Sequence, residues 1–439
     1  MLRHERAVLA VLLTLFLCRA TLASVIVPPW QGPDEPDHFL LAHAQYLGQS
    51  LADARPALER EVVASMAKYR WWEPYGKPTP VPLPTAFSGI PDLGRGTYSQ
   101  PVYYGLGAAV LRVTRPSSVE DAYWDLRRMS TVLGMLTLVF GWCGTRLLFG
   151  PVVAAGATAI AALNPQFLLF SMTVNPDALA AVLGAFIWWQ LARAVRGHRP
   201  GLSLVFIIVA VATLPITKRS AVPMGAVALV IVGLLMAGVS TLRLTRRAVV
   251  AVLATVALAG AAAAVVALTL EGAALEFVTR WTDLLEIRRP IGMTMVPEAL
   301  AYVRESIDGV WLIAGWLRFE APGPWVWVAR SLTIAGFAGA LLLLFRRRMF
   351  QLPLSIGAAF VIAQAVGVLA WGFLAMATPQ GRYQFPVMAP ATALLWLGLT
   401  YAAPARFQPY AAPALVAVLA IMDVTAFTTV LMPAYLPWT

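Results

Sequence analysis

Charge is what this sequence lacks most. Only 13% of its 439 residues are Asp, Glu, Lys or Arg, against roughly 25% in a soluble chain. Long apolar runs lie between short basic clusters, so whole helices would be hydrophobic on every face. Such helices need lipid or other helices around them, which excludes an ordinary soluble globule. Lysine is scarcer still, since 30 of the 33 basic residues are Arg. A net charge of +11 would point to nucleic acid in a soluble protein. Here the Arg residues stand mostly at helix ends, where they set topology and meet lipid phosphates. No basic groove with interleaved aromatics accompanies them, so no nucleic-acid partner is expected.

Cysteine is nearly missing too. Cys18 and Cys143 are the two present, both inside apolar runs, which excludes a disulfide framework and a Cys-rich metal site. Bulky Leu17 beside Cys18 is unsuited to a lipoprotein cleavage site. The sequence also has no nucleotide-binding glycine loop, internal repeat or low-complexity segment. Met1 to Ala23 has the basic end and apolar centre of a signal peptide, but apolar residues continue through Val27 and more spans follow. An uncleaved first transmembrane helix, residues 1–27, is expected.

What is present is an all-α polytopic membrane protein. Arg3, His4 and Arg6 place the N-terminus in the cytoplasm, and residues 7–27 cross outward. Residues 28–100 hold no membrane-length apolar run, but eight acids and clusters of Pro and Trp. Their aromatic content predicts a folded outer loop rather than a linker. The apolar piece 101–112 is too short to span and reads as a juxtamembrane or re-entrant helix, so the outer loop region extends over 28–128. Spans are predicted at about 129–148, 152–172, 177–194, 201–217, 221–239, 248–269, 326–345, 352–377, 384–402 and 411–431. Arg-bearing turns at Arg146, Arg193 to Arg199, Arg243 to Arg247, Arg346 to Arg348 and Arg406 face inside. This divides the chain into a transmembrane bundle over 129–269, a second outer loop over 270–325 and a C-terminal bundle over 326–439. About eleven transmembrane helices result, or twelve to thirteen if 101–114 crosses, with the C-terminus outside. The two outer regions hold 16 of the 22 acids. Phe277, Trp281, Leu284 and Leu285 share a helical face, which predicts a helix along the membrane surface.

Four polar stretches then share the outer side. Pro33-Asp34-Glu35-Pro36-Asp37-His38 follows the first span, its prolines stiffening the backbone before a helix from Leu40 onward. A carboxylate fixed there suits general-base work on a hydroxyl. The same residues also suit a solvated acidic helix start, or a divalent cation at Asp34, Glu35 and His38. Asn175-Pro176-Asp177 opens a span, as a helix cap or as an orienting group for substrate. Thr378-Pro379-Gln380-Gly381-Arg382-Tyr383 offers a planar guanidinium to phosphate oxygens, or anchors lipid headgroups. Lys218-Arg219 sits outside against the positive-inside bias, which hints at an anionic ligand or at retention beside a neighbouring acid. Arg95 lies near Tyr98 and Tyr103 at the same interface. Asp423 is the lone acid well inside a span, a functional position or half of an ion pair.

In this order the pieces resemble the polytopic glycosyltransferases of the GT-C superfamily, and most closely a poorly characterised bacterial membrane-protein family within it. The resemblance rests on Pro28 to Phe39, Pro101-Val102-Tyr103-Tyr104, Arg127-Arg128-Met129-Ser130, Asn175 to Leu179, Trp311 to Trp316 and Gly381 to Pro386. The Asp-Glu pair followed by His and Phe is also similar to the acidic motif of protein O-mannosyltransferases. The resemblance implies a GT-C-like fold, an acid of the first outer loop as catalytic base (Asp34 or Glu35) and Arg382 as a phosphate contact. It further implies a polyprenyl-phosphate sugar donor. Asp37, His38, Arg95, Tyr103, Asn175, Asp177, Arg219 and Tyr383 are then expected around the substrates. No metal or cofactor is required. The acceptor is expected to be an envelope glycan, lipid or protein at the outer face of a bacterial inner membrane. The rival readings are a transporter or flippase of lipid-linked glycans, favoured by repeats and midplane charges, and a non-catalytic envelope-assembly protein.

Overall fold

The computed structural model describes residues 3–91, 93, 100–236, 295–316, 318–346, 351–374 and 378–436. The predicted span 248–269, Arg95 and the predicted surface helix around Trp281 lie outside the described residues. The described residues are helical almost throughout and include one hairpin of two-residue strands, β1 (Ile313–Ala314) and β2 (Phe319–Glu320). Seven described helices are long and apolar enough to cross a membrane: Arg3–Ile26, Val119–Phe149, Asp177–Val195, Pro200–Thr217, Gly323–Phe345, Gln351–Leu374 and Gln408–Tyr435. An eighth crossing forms if the bent pair Pro151–Leu163 and Pro165–Ser171 counts as one span. The multi-pass, all-α expectation is therefore borne out. Pro101–Thr114 is a separate 14-residue helix packed on Glu35–Leu47, as its length required.

Two apolar cores divide the work. One runs through the membrane bundle from Phe16 to Tyr435. The other lies under the helices Glu35–Leu47, Leu51–Lys68 and Pro101–Thr114. Trp30 lies at the centre of the second core. It is fully buried, its indole N–H donates to Ser65 Oγ at 3.0 Å, and its carbonyl accepts from the indoles of Trp71 and Trp316. The Pro and Trp clusters thus fold the loop, because an aromatic ring buries a large apolar area while its N–H still needs a partner.

The predicted straight span 152–172 is bent by 69° at Asn164-Pro165. Proline has no N–H to give and clashes with the preceding turn, so the helix cannot continue through it. The Asn164 side chain accepts from Phe167 N at 2.7 Å and starts a second helix. Gln166 N, which would have bonded to Ala162 O, donates to Trp311 O at 3.0 Å instead. Ala162 O is satisfied by Arg19, whose guanidinium also pairs with Asp423. Asp423 is thus half of a buried intramembrane ion pair that ties the first helix to the last.

Removing one member of such a pair leaves a buried charge, at a cost of about 3–5 kcal/mol. Asp423→Ala is expected to lower the unfolding midpoint in detergent sharply, while the double variant Arg19→Met, Asp423→Leu recovers most of the loss. Thermal unfolding of the purified variants checks this.

Candidate functional site

The acidic motif begins in a strained turn. Asp34 has φ +62° and precedes the helix Glu35–Leu47, with Pro36 in the first turn. Asp tolerates this left-handed region better than most residues. The helix starts five residues earlier than Leu40. Asp34 is the N-cap residue of this acidic helix start, but its side chain does not cap the helix. Its Oδ2 accepts from Arg382 Nη2 at 2.9 Å.

Arg382 is the centre of the site. Its side chain is only 2% exposed, and it lies between two carboxylates, with Nε 3.4 Å from Asp177 Oδ2. Lys218 Nζ closes the cluster at 3.2 Å from Asp177 Oδ1. The Phe170 ring lies 4.8 Å from the guanidinium. Arg382 Nη1 has no hydrogen-bond partner among the described residues. Buried N–H groups are nearly always bonded, so this one marks a place for an acceptor. The four charges come from the turn before Glu35–Leu47, the start of Asp177–Val195, the end of Pro200–Thr217 and the short 3-10 helix Gly381–Val387 before Met388–Tyr401. All four therefore meet at one end of the bundle.

Two glycines make that meeting possible. A Cβ on Gly184 would come within 1.8 Å of Pro386 O, so only glycine lets Asp177–Val195 pack against the Arg382 loop. A Cβ on Gly381 would come within 1.9 Å of Val310 N. Gln364 completes the frame, donating to Ser220 O and Tyr383 O, both at 2.7 Å, and so joining the Lys218 and Arg382 loops.

Glu35 is occupied elsewhere. It is fully buried and pairs with Arg127 at 3.2 and 3.3 Å. It also accepts from Gly32 N at 3.1 Å and Val174 N at 2.9 Å. Arg127 in turn donates to Val27 O and Pro28 O and lies over Tyr123. This carboxylate fastens the first outer turn to the bundle. Asp37 is buried in the first turn of the same helix. His38 Nδ1 is 2.8 Å from Tyr104 OH, which donates to Gln100 at 2.6 Å. The imidazole is thereby assigned as the Nδ1–H tautomer.

Asn175 accepts from Asp177 N at 2.9 Å and reaches Pro33 O at 3.5 Å, so it orients both acids. Tyr103 is buried against Ser130 at 2.9 Å. Tyr383 lies beside Lys218 and Arg382, with ring centroid distances of 5.7 and 5.6 Å. Arg219 is exposed. Of that basic pair it is Lys218 that enters the cluster, and strict alternation at a helix end would not have distinguished them. The cation option for Asp34, Glu35 and His38 meets side chains that face three different partners. Among the described residues no group of three or more His, Cys, Asp or Glu is placed to hold a metal ion.

Electrostatics follow from this burial. Desolvation opposes the Asp34 charge, but Arg382, with His38 and Lys218, outweighs it and holds the carboxyl below its ordinary range. Burial, reinforced by Lys218, lowers His38 to about 3, so its ring is neutral. Burial also lowers Lys218, against the pull of Asp177. Desolvation works against the Arg382 cation as well, yet Asp177, Tyr383 and Asp34 together raise it.

Residues 117–266 match the family described as dolichyl-phosphate-mannose-protein mannosyltransferase. That match bears out the resemblance to GT-C superfamily membrane glycosyltransferases. The crystal structure of the Archaeoglobus fulgidus oligosaccharyltransferase in the apo form overlaps this chain with a TM-score of 0.46 and 13% identity. The overlap covers 98% of this chain and 55% of that one, so the chain spans little more than half of that structure's length. No curated protein sequence matches the chain.

Two outcomes test the separate roles of the carboxylates. Glu35→Ala leaves Arg127 buried and unpaired, and is expected to cost about 3–5 kcal/mol of stability; Asp34→Asn, at a part-exposed side chain, is expected to cost much less. Acid acts in two windows. The neutral His38 contributes stability in full above its unfolded pKa near 6.5 and loses it as pH falls toward 3. The Asp34 contribution is lost only below the ordinary carboxylate range. Unfolding midpoints against pH should therefore flatten between about pH 6.5 and 4 in His38→Asn.

Proposed function

We propose that the chain transfers a glycosyl group from a polyprenyl-phosphate sugar to a hydroxyl of an envelope acceptor at the outer membrane face. The observation that carries this reading is the Arg382 bridge, a part-exposed carboxylate held 2.9 Å from a buried guanidinium. One site then offers a base and a phosphate clamp, the two things that inverting displacement on a lipid-linked sugar needs. The acceptor oxygen attacks the anomeric carbon, and its proton passes to Asp34. The bond from that carbon to the phosphate oxygen breaks with its electron pair, leaving polyprenyl phosphate. Arg382 and Lys218 face the charge that develops, in surroundings where water does not screen it.

The resting pair also sets an order. While Arg382 holds Asp34, the carboxylate is a weak base. A phosphate on Arg382 takes up the guanidinium donors and adds negative charge, and both effects raise the Asp34 pKa toward working pH. Donor binding thus arms the base. An apolar cavity lined by Ile160, Val310, Phe337, Leu369, Phe385 and Leu395 adjoins the Arg382 loop and suits a prenyl chain.

Transport gains little from the bent span. Its polar residues are engaged in holding the second outer region, since Asn164 donates to Val310 O at 3.0 Å and Gln166 accepts from Ile313 N at 2.7 Å. Asn164 borders the apolar cavity beside the Arg382 segment rather than a polar path.

Transfer from labelled polyprenyl-phosphate sugars to envelope acceptors tests the reading. Asp34→Asn is expected to lower the rate about 10²–10⁴-fold at unchanged folding. Gly381→Ala should also lose most transfer, because a methyl group there displaces the Arg382 loop from Val310. Undiminished transfer in Asp34→Asn would sink the proposed base.

A further inference from the structure

The helix Met295–Asp308 separates two cavities of opposite character. Ser306, Ile307 and Val310 line the apolar one already described. Arg304, Glu305 and Asp308 face a second cavity of about 620 Å³, together with Glu320, Trp327 and Arg330. Its volume falls within the roughly 300–1,000 Å³ of small-ligand sites. Acids are scarce in this chain, 22 in 439 residues, yet three of them meet two arginines around this one space.

The lining is partly built and partly unengaged. Arg330 grips Asp308 in a bidentate pair at 2.6 and 2.5 Å, and its guanidinium lies 5.2 Å from the Trp327 ring. That ring is 66% exposed. Among the described residues, the side chains of Arg304, Glu305 and Glu320 make no hydrogen bond or ion pair. The cavity also touches the catalytic loop, because Thr378 and Pro379 form part of its wall. Ile313 borders both this cavity and the crevice beside Gly32, Pro33 and Phe170.

We propose that this cavity binds the saccharide of the acceptor, as a second subsite of the transferase reading on which the word acceptor rests. Carboxylates accept from neighbouring sugar hydroxyls while guanidinium groups donate to ring and hydroxyl oxygens. An exposed indole offers its face to the apolar C–H side of a pyranose. A peptide would instead use a free strand edge or apolar side-chain pockets. Here each hairpin strand is only two residues long, too short an edge to add a peptide strand, and the wall is charged with both signs. The lipid chain of the donor and the glycan of the acceptor thus approach from opposite sides of one helix, with Arg382 between them.

The test uses the full chain in lipid nanodiscs, with chitotriose and maltotriose as probes and an acetylated Ser/Thr hexapeptide as comparison. Saturation-transfer NMR and titration calorimetry read the binding. At least one saccharide is expected to bind with equal affinity to wild type and Asp34→Asn. Its affinity should fall tenfold or more in the triple variant Arg304→Ala, Glu305→Gln, Glu320→Gln, and also in Trp327→Ala. The triple variant removes no side-chain hydrogen bond or ion pair among the described residues, so its fold should be kept. Absence of saccharide binding, binding indifferent to these substitutions, or cavity-dependent binding of the peptide alone would overturn the proposal. Failure of the transferase reading is separate. It would appear as undiminished transfer in Asp34→Asn, and leaves cavity-dependent saccharide binding standing as a glycan site.

Discussion

A guanidinium buried at the end of a membrane bundle is affordable only if carboxylates accompany it. Arg382 has two, Asp34 and Asp177, drawn from segments that are distant in sequence. The arrangement therefore does three things together. It closes the first outer turn onto the bundle, it fixes the start of Asp177–Val195, and it keeps cationic N–H donors out of bulk water. Removing Arg382 would leave buried Asp177 short of compensating charge, whereas the part-exposed Asp34 can be lost at smaller cost. Much of the surrounding sequence serves this contact: glycines at 184 and 381 allow the close approach, and Gln364 ties the two basic loops together.

Adjacent acids in one motif then have different tasks. Glu35 is saturated by Arg127 and two backbone N–H groups, so it is a fastening. Asp34 keeps one basic partner and some exposure, and is the one that can exchange that partner for a proton. Farther into the membrane the bent helix repeats the theme on a smaller scale. The break at Pro165 frees Ala162 O, and Arg19 with Asp423 takes it up. The same break lets Asn164 and Gln166 hold the segment 310–313, which lies between the Arg382 loop and the charged cavity.

Much of this was legible in the sequence. Low charge and Arg-marked turns gave the polytopic class, and the positive-inside bias put Asp34, Asp177, Lys218 and Arg382 on one side. Which neighbour does what was not legible. Asp34 stands in the left-handed turn before the helix and Glu35 in its first turn, so the two face different partners, and those partners are far along the chain. Arg127 is 92 positions from Glu35. For the same reason the sequence pointed to Arg219, whereas the structure brings Lys218 to Asp177. The bend at Asn164-Pro165 did carry a local signal, since Asn-Pro favours a turn; apolar length alone concealed it. Asp423 found its partner 404 positions away, where no pattern along the sequence could point.

The central claim is that Arg382 passes from a carboxylate to a phosphate. An experimental structure of the chain in nanodiscs with polyprenyl phosphate bound tests this most directly. The account predicts phosphate oxygens within hydrogen-bond reach of Arg382 and Lys218, the Arg382–Asp34 contact opened, and the prenyl chain in the apolar cavity beside Phe385. A phosphate bound elsewhere, with the Arg382–Asp34 pair intact, would contradict it.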